Sequence, residues 1–364
     1  MSDRTRGVDQ DLGDRCSAIA YGWAKSTFGA RGPDAAAYDG ASAHVVRIHG
    51  NLLAISSDGV GTKVEIAERV GRYDTLGYDL LAMVVDDLAA IGAEPVAVSN
   101  ILDVDRLEES TVDALMSGLA RAAIESRVVI SGGEIAQLGD RISGYGAGMH
   151  FNWAATGIGL LPGCDDATGG GWRDRLSAGD RVIALASDGF RSNGFTLARQ
   201  ILESVHGGDW HNAATRSGRR WGEALLVPSR LYAHGVVALI ERGIIRLHGA
   251  VHVTGGGVPG NLARLLTGTG LGADLEALWL PHDEMLELVE LGGVDPRRAF
   301  DQWNMGNGML LVLAEDDADR AVEQLERAGY QARLAGGIDT SERIAIDATP
   351  CGLGHLSFAL EGDR

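Results

Sequence analysis

The sequence predicts a two-domain protein of mixed α+β / α/β class. Three observations predict it. The chain has 364 residues, 45% hydrophobic and 23% charged, enough for about two domains with ordinary cores. Segments with strand periodicity alternate with segments of helical periodicity in both halves. A polar, glycine-rich stretch, CDDATGGGWRDRLSAGD, separates them at 164–180, so domains are expected over 1–163 and 171–345.

In chain order, VVRIHGNLLAIS (45–56) reads as two short strands around His49, Gly50 and Asn51. Residues 74–92 read as a helix with Asp74 at its N-cap, ended by Gly92 with Pro95 beyond. A second helix is expected over 108–125. The strand VVIS then runs into a turn at Gly132 and Gly133, and another strand follows over 154–161. The second half opens with the strand RVIALAS and a helix over about 195–205. An arginine-rich stretch to 222 precedes a helix over 228–242. Strand 251–253 enters Thr254, Gly255, Gly256 and Gly257. Strand MLLVLA, helix ADRAVEQLERAG and strand QARLAGGI close the chain. There are 52 glycines against 8 prolines, so the loops turn on glycine.

Formal net charge is −18, from 50 acids against 32 basic residues. A surface this acidic argues against nucleic acid or anionic lipid as partner, though not against a small anionic substrate held by a few donors. Cys16, Cys164 and Cys351 form no Cys-x-x-Cys pair, so neither a disulfide framework nor a thiolate metal site is expected. The N-terminal residues lack an apolar signal core, and no stretch approaches the ~20 apolar residues of a membrane span. A cytoplasmic enzyme is the expectation.

The chemistry is expected at three carboxylates. On helix 74–92, Leu76, Leu80, Met83, Val84, Leu88 and Ile91 form an apolar stripe that contains Asp87. Asp86 falls to one side with Asp79 and Ala82. A carboxylate on a buried stripe needs a partner, and a metal ion or a backbone donor would both serve. Asp58 and Glu134 each lie in an expected glycine turn, SDGVG and SGGE, directly after a strand. Asp58, Asp87 and Glu134 together suit Mg²⁺ on a nucleotide. Gly59, Gly61, Thr62, Gly132 and Gly133 would let backbone approach the phosphates, and Lys63 would neutralise one.

Joined in order, these pieces resemble the AIR synthetase family, the phosphoribosylformylglycinamidine cyclo-ligases. The matching motifs are Asp58–Lys63, Asp86-Asp87-Leu88 with Gly92–Pro95, and Gly132–Glu134. Further on they are Ser192–Leu197, Thr254–Gly257 and Gly306–Met309, and Gly7-Val8-Asp9 matches near the start. The resemblance implies an AIR-synthetase-like two-domain fold, with an N-terminal α+β half that dimerises through its sheet and a C-terminal α/β half. It implies Mg²⁺ and ATP bound along the first half and a phosphorylated small-molecule substrate. It also implies a reaction in which ATP activates an amide oxygen as a phosphoryl imidate before a substrate nitrogen closes the ring. Ser192, Asn193, Gly194 and the Thr254–Gly257 turn would hold the substrate, and His252, just before that turn, could touch it.

The chain departs from the family pattern near the expected substrate. Arg191 stands where the family has His, which suggests an anion clamp in place of a proton carrier. The family's Asp-Tyr-Tyr-Ala-Thr-Gly-Lys segment is missing, and Ser99–Asp103 stands there. The residues after Glu134 are rewritten as Ile135–Gly139, the glycine-rich loop is shortened to Thr27–Ala30, and Trp303-Asn304-Met305-Gly306 replaces Phe-Asn-Cys-Gly. Two readings stay open: the cyclo-ligase itself, and a paralogue that uses Mg-ATP on a different amide or phosphate substrate.

Two other classes compete. Gly255–Gly260 fits G-x-G-x-x-G, with Asp274 about 20 residues on, as in a dinucleotide-binding oxidoreductase. A non-catalytic nucleotide-binding regulator is the other, opposed by the retained Asp58, Asp87 and Glu134. His248 and His252 would stand some ~13 Å apart on one strand, too far to share a metal. His282-Asp283-Glu284 reads as a helix start, and Arg216, Arg219 and Arg220 as a solvated loop.

Overall fold

A computed structural model describes residues 10–31, 35–36, 43–161, 172–241 and 245–360. Gly7–Asp9, Cys164 and the first part of the glycine-rich stretch expected between the domains, through residue 171, lie outside these residues. The strands of the first half are β1 (Ala35–Ala36), β2 (His44–Ile48), β3 (Asn51–Gly59), β4 (Glu94–Val104), β5 (Val129–Gln137) and β6 (Phe151–Leu161). Its helices are α1 (Gln10–Lys25), α2 (Lys63–Val70), α3 (Leu76–Ala90) and α4 (Glu109–Glu125). The six strands form one sheet in the order β1-β2-β3-β6-β4-β5, antiparallel except for the β4–β5 pair.

In the second half the strands are β7 (Arg181–Ala186), β8 (Leu247–His252), β9 (Gly272–Leu275), β10 (Asn307–Leu313), β11 (Ala332–Asp339), β12 (Arg343–Ala348) and β13 (Gly354–Ala359). The helices are α5 (Phe195–His206), α6 (Trp221–Leu225), α7 (Ala233–Glu241), α8 (Gly257–Leu266), α9 (Asp283–Gly292), α10 (Pro296–Gln302) and α11 (Ala318–Arg327). The second sheet runs β13-β12-β9-β11-β7-β10-β8, and only β9 and β12 pair in parallel. It continues to Ala359, past the end expected for the second domain at 345. The second sheet has no dinucleotide-binding crossover at Gly255–Gly260. β8, which precedes the motif, is an edge strand antiparallel to β10, and Asp274 sits inside β9.

Most of the expected elements fall where periodicity put them, and three differ. Residues 94–104 form a long strand where the sequence suggested only a helix end and a substituted segment. Gly132, Gly133 and Glu134 lie inside β5 and not in a turn, because Gly132 (φ 149°) absorbs a bulge in β5, where Ser131 is the extra residue opposite Val98 and Ser99 of β4. The helix expected from 228 begins at Ala233.

Helix α3 fixes the architecture. Its sequence is apolar enough that Leu76–Leu81 and Ala82–Asp86 are nearly all buried. One side packs on the first sheet and on α4. That crossing is close, since a Cβ on Gly77 would stand 2.1 Å from the Leu119 nitrogen. The other side packs on α7 and β8 of the second half. One continuous apolar core therefore runs from Val60 and Ile66 through α3 to Leu310 and Leu356. Among the described residues the opposite face of the first sheet has no such cover and exposes Ile101, Ile158 and Leu160.

Candidate active site

Three glycine turns anticipated from sequence come together. The first, Gly61–Thr62 (Gly61 φ 67°), opens α2. The second, Ser192–Gly194 (Gly194 φ 79°), opens α5, and the third, Thr254–Gly256 (Gly256 φ 93°), opens α8. Glycine is required at Gly194, where a Cβ would lie 2.3 Å from Trp303 Cδ1, and at Gly257, where it would lie 1.7 Å from the Phe300 carbonyl. A Cβ on Gly61 would reach the Ser192 carbonyl at 3.9 Å, and one on Gly255 would reach Asn193 Oδ1 at 3.5 Å, so the middle turn touches both others. Asn261, one turn into α8, holds the third turn through Nδ2 bonds to the Gly257 and Gly255 carbonyls at 2.7 and 3.2 Å.

None of these three helix starts is closed by a side chain. At α5 the N–H groups of Phe195, Thr196 and Leu197 are left for an anion, whereas at α2 those of Val64 and Glu65 turn back on the Gly61 and Thr62 carbonyls and at α8 that of Gly257 turns back on the Thr254 carbonyl. Ser192 Oγ and Asn193 Nδ2 are buried at the middle turn without a partner among the described residues. Two orphaned donors beside open helix starts suit phosphate oxygens.

The carboxylates lie at the end of β3 and late in α3. Asp58 Oδ1 accepts from Gly59 N–H at 2.6 Å. Its side chain reaches the surface, yet the surrounding walls strip much of its water. That desolvation raises its pKa, as does the charge of Asp87, while Gly59 and His252 pull it down. Asp87 Oδ1 accepts from His252 Nδ1 at 2.8 Å, and its Oδ2 accepts from Ser56 Oγ at 3.2 Å. His252 ends β8, two residues before the Thr254 turn, so this bond ties the carboxylates to the third glycine turn.

Four expected roles are corrected by these positions. Lys63 does not face an anion: it is fully buried, donating to Asp79 Oδ1 at 2.8 Å and the Val227 carbonyl at 2.6 Å. Burial pulls the Lys63 ammonium down and pushes the Asp79 carboxyl up, and each partner offsets the other. Arg191 is not a substrate clamp: it is 2% exposed and donates to Asp86 Oδ2 at 2.9 Å, the Arg230 carbonyl at 2.8 Å and His252 Nε2 at 2.8 Å. His252 is likewise 2% exposed with both ring nitrogens engaged, so it does not reach substrate. Glu134 does not join Asp58 and Asp87. It shares a register row with Ile101, Ala154 and Gly59, three strand spacings or ~14 Å across the sheet. Among the described residues no group of three or more His, Cys, Asp or Glu converges.

The two neighbouring aspartates on α3 also exchange places. Asp86, not Asp87, is the fully buried one. Its Oδ1 accepts from Tyr232 N–H at 2.8 Å and Ala233 N–H at 2.9 Å, capping α7 from outside the helix. Asp79, two turns earlier, accepts from Ser229 N–H and Oγ at 2.9 and 2.6 Å. Sequence reasoning missed this pair of grips on segment 227–233. The signal was there in the strip Asp79, Ala82, Asp86, whose ends are seven positions apart, about two helical turns.

Asp58 and Asp87 fit a divalent cation. They are hard oxygen donors, their mutual charge is unfavourable without one, and Mg²⁺ is commonly held by one or two carboxylates with phosphate oxygens and water. Removing that repulsion has a predicted sign. Asp58→Asn keeps the acceptor for Gly59 N–H and is expected to stabilise the metal-free protein by ~0.5–2 kcal/mol, as relief of a strained functional site commonly does. It should also abolish the rise in Tm expected for the unmodified protein when Mg²⁺ and a nucleoside triphosphate are added. Thermal scans with and without Mg-ATP check both, and a lower metal-free Tm would contradict the crowding.

Residues 40–159 match the family described as AIR synthase related protein, N-terminal domain, and residues 177–348 match its C-terminal domain. A protein of Sorangium cellulosum named phosphoribosylformylglycinamidine cyclo-ligase is 34% identical over 343 residues, 92% of this chain and 94% of its own. One of Thermococcus kodakarensis with the same name is 38% identical over 275 residues, 76% of each chain. Among solved structures, a chain of a HypE–HypF complex superposes with a TM-score of 0.60 at 18% identity, over 90% of this chain and 94% of that one. The thiamine-monophosphate kinase of Stenotrophomonas maltophilia does so with 0.57 at 19%, over 86% and 91%.

Proposed function

Because the chain belongs to the AIR synthase related family, we propose that it works as its full-length relatives are named, as an ATP-dependent phosphoribosylformylglycinamidine cyclo-ligase. The observation that carries the reading is the meeting of three open helix starts around the unpartnered Ser192 and Asn193, beside Asp58 and Asp87. In the reaction the terminal phosphoryl group of ATP passes to the formyl amide oxygen, releasing ADP. A substrate nitrogen then attacks the activated carbon, the C–O bond breaks, and phosphate leaves as the ring closes.

The residues divide this work by charge. Asp58 and Asp87 would hold Mg²⁺, which supplies positive charge to the nucleotide phosphates. The N–H groups of Gly61 and Thr62 would face the same phosphates, those of Gly59 and Val60 being taken by Asp58 and the Trp153 carbonyl. Ser192, Asn193, Gly194 and the Thr254–Gly257 turn orient the phosphorylated substrate, holding its anion by backbone donors in place of a mobile cation.

The substitution at Arg191 does not argue for a different substrate, since Arg191 lies in the interior. Incubation with Mg-ATP and formylglycinamidine ribonucleotide is therefore expected to yield ADP, phosphate and aminoimidazole ribonucleotide in equal amounts. ATP turnover without the aminoimidazole would replace this reading by the paralogue.

The open face of the first sheet is the place for a second copy. Ile101, Ile158 and Leu160 are apolar and uncovered there. A homodimer packed through this face would also enclose Glu134, which shares the Ile101 row, and leaves it to the assembled protein to bring that carboxylate to a nucleotide. Ile101→Glu with Ile158→Glu is expected to halve the mass seen by light scattering; an unchanged mass would exclude this face. No helix of the described residues is long and apolar enough to cross a membrane. Its use of ATP suits the cytoplasm.

A further inference from the structure

We propose that Arg191 is a positioning residue: by donating to His252 Nε2 it fixes the proton of that imidazole on Nδ1 and so aims the Asp87 carboxylate into the site. The inference rests on the reading of Asp58 and Asp87 as the cation end of the site. A guanidinium carries only donors. At 2.8 Å from Arg191 Nη2, His252 Nε2 must therefore present its lone pair. The ring proton then stands on Nδ1, where it donates to Asp87 Oδ1 at 2.8 Å. Ser56 Oγ donates to the other Asp87 oxygen at 3.2 Å. Each oxygen thus has one fixed donor, and its remaining lone pairs are left for the opening.

Arg191 is itself held rigidly. Nη1 donates to the Arg230 carbonyl at 2.8 Å, Nη2 to Asp86 Oδ2 at 2.9 Å, and the guanidinium lies 4.8 Å from the centre of the Tyr232 ring. Asp86 is anchored in turn by the N–H groups of Tyr232 and Ala233. Arg191 also keeps a left-handed backbone, φ 60°, which costs a non-glycine residue of order 1–2 kcal/mol and persists only where the surroundings impose it. A relay of position therefore runs from the start of α7 through Asp86, Arg191 and His252 to Asp87. Only a forked side chain could bridge Asp86 and His252 with one nitrogen while holding the Arg230 carbonyl with another. His252, closed off and fully bonded, sets direction and does not exchange a proton with substrate.

Long-range ¹H–¹⁵N spectra of the full-length, metal-free protein labelled at histidine test the relay without any substitution. His252 is expected as the Nδ1–H tautomer. An imidazolium or an Nε2–H tautomer would overturn the proposal. In Arg191→Ala, and in Arg191→Lys should the alanine variant not fold, the Nδ1–H preference is expected to be lost. Its retention in a folded variant would also overturn it.

The consequence for the site is read by titrating Mn²⁺ alone and following its spin resonance. His252→Ala and Arg191→Ala are expected to bind Mn²⁺ ~10–100-fold more weakly, the usual effect of removing a residue that orients a metal ligand. His252→Asn retains an amide donor at the position of Nδ1 and is expected to recover most of that affinity, with kcat above that of His252→Ala. A kcat in His252→Asn as low as in His252→Ala, with Mn²⁺ binding intact, would make His252 a proton carrier and sink the proposal. Failure of the unmodified protein to bind Mn²⁺ would sink the cation reading on which it rests, a result distinct from the tautomer spectrum.

Discussion

Lys63→Met is expected to destabilise the protein by ~3–5 kcal/mol, the cost of leaving one charge of a buried pair without its partner. Asp79 would keep only the two Ser229 donors, and its Oδ2 already has none. The Val227 carbonyl would also lose its bond. Urea unfolding followed by circular dichroism measures the loss. The double variant Lys63→Met/Asp79→Leu should recover most of it, because two apolar side chains replace the pair without an orphan charge. In the folded fraction of Lys63→Met, the KM for ATP should stay near that of the unmodified protein. A large rise in KM at unchanged stability would return Lys63 to the phosphates.

Asp86 and Asp87 are adjacent and are expected to fail in opposite ways. Asp86→Ala removes the acceptor for Tyr232 N–H, Ala233 N–H and Arg191 Nη2 together. Arg191 cannot shed its charge, so the expected cost is again ~3–5 kcal/mol, seen as a lower urea midpoint. Asp87 is partly exposed and bonded only to His252 and Ser56. Asp87→Asn should therefore leave the urea midpoint nearly unchanged and lose most turnover, since it deletes one charge from the expected cation site. Equal loss of stability in both variants would show that the two carboxylates do not divide structure from chemistry.

What could be read from sequence, and what could not, follows from which forces write themselves locally. The turns at Gly61, Gly194 and Gly256 were legible because their backbone conformations favour glycine, and a glycine pattern is visible one residue at a time. The exchange of Asp86 and Asp87 was not. The stripe argument assigns polar residues on the far side of a helix to water, and α3 has almost no wet side. Its polar strip faces the second half, where Asp79 and Asp86 meet backbone donors that no local pattern announces. β4 was missed because a bulge between Pro95 and Ala97 breaks the alternation that marks a strand. Glu134 was misplaced because a glycine pair reads as a turn, whereas here it carries a strand through a bulge.

The grip of α3 on segment 227–233 has a consequence for folding. The chain reads as two family domains, yet beyond the Lys63–Asp79 pair itself, Lys63, Asp79 and Asp86 of the first take their bonds from Val227, Ser229, Arg191, Tyr232 and Ala233 of the second. Synthesised alone, the first half would either bury uncompensated charge or leave α3 undocked. The halves are therefore expected to share one cooperative transition, with a single peak in calorimetry, and α3 to reach its final state only after the second half has been made. A chain cut between β6 and β7 would recover its fold by association of the two fragments and not by either one alone.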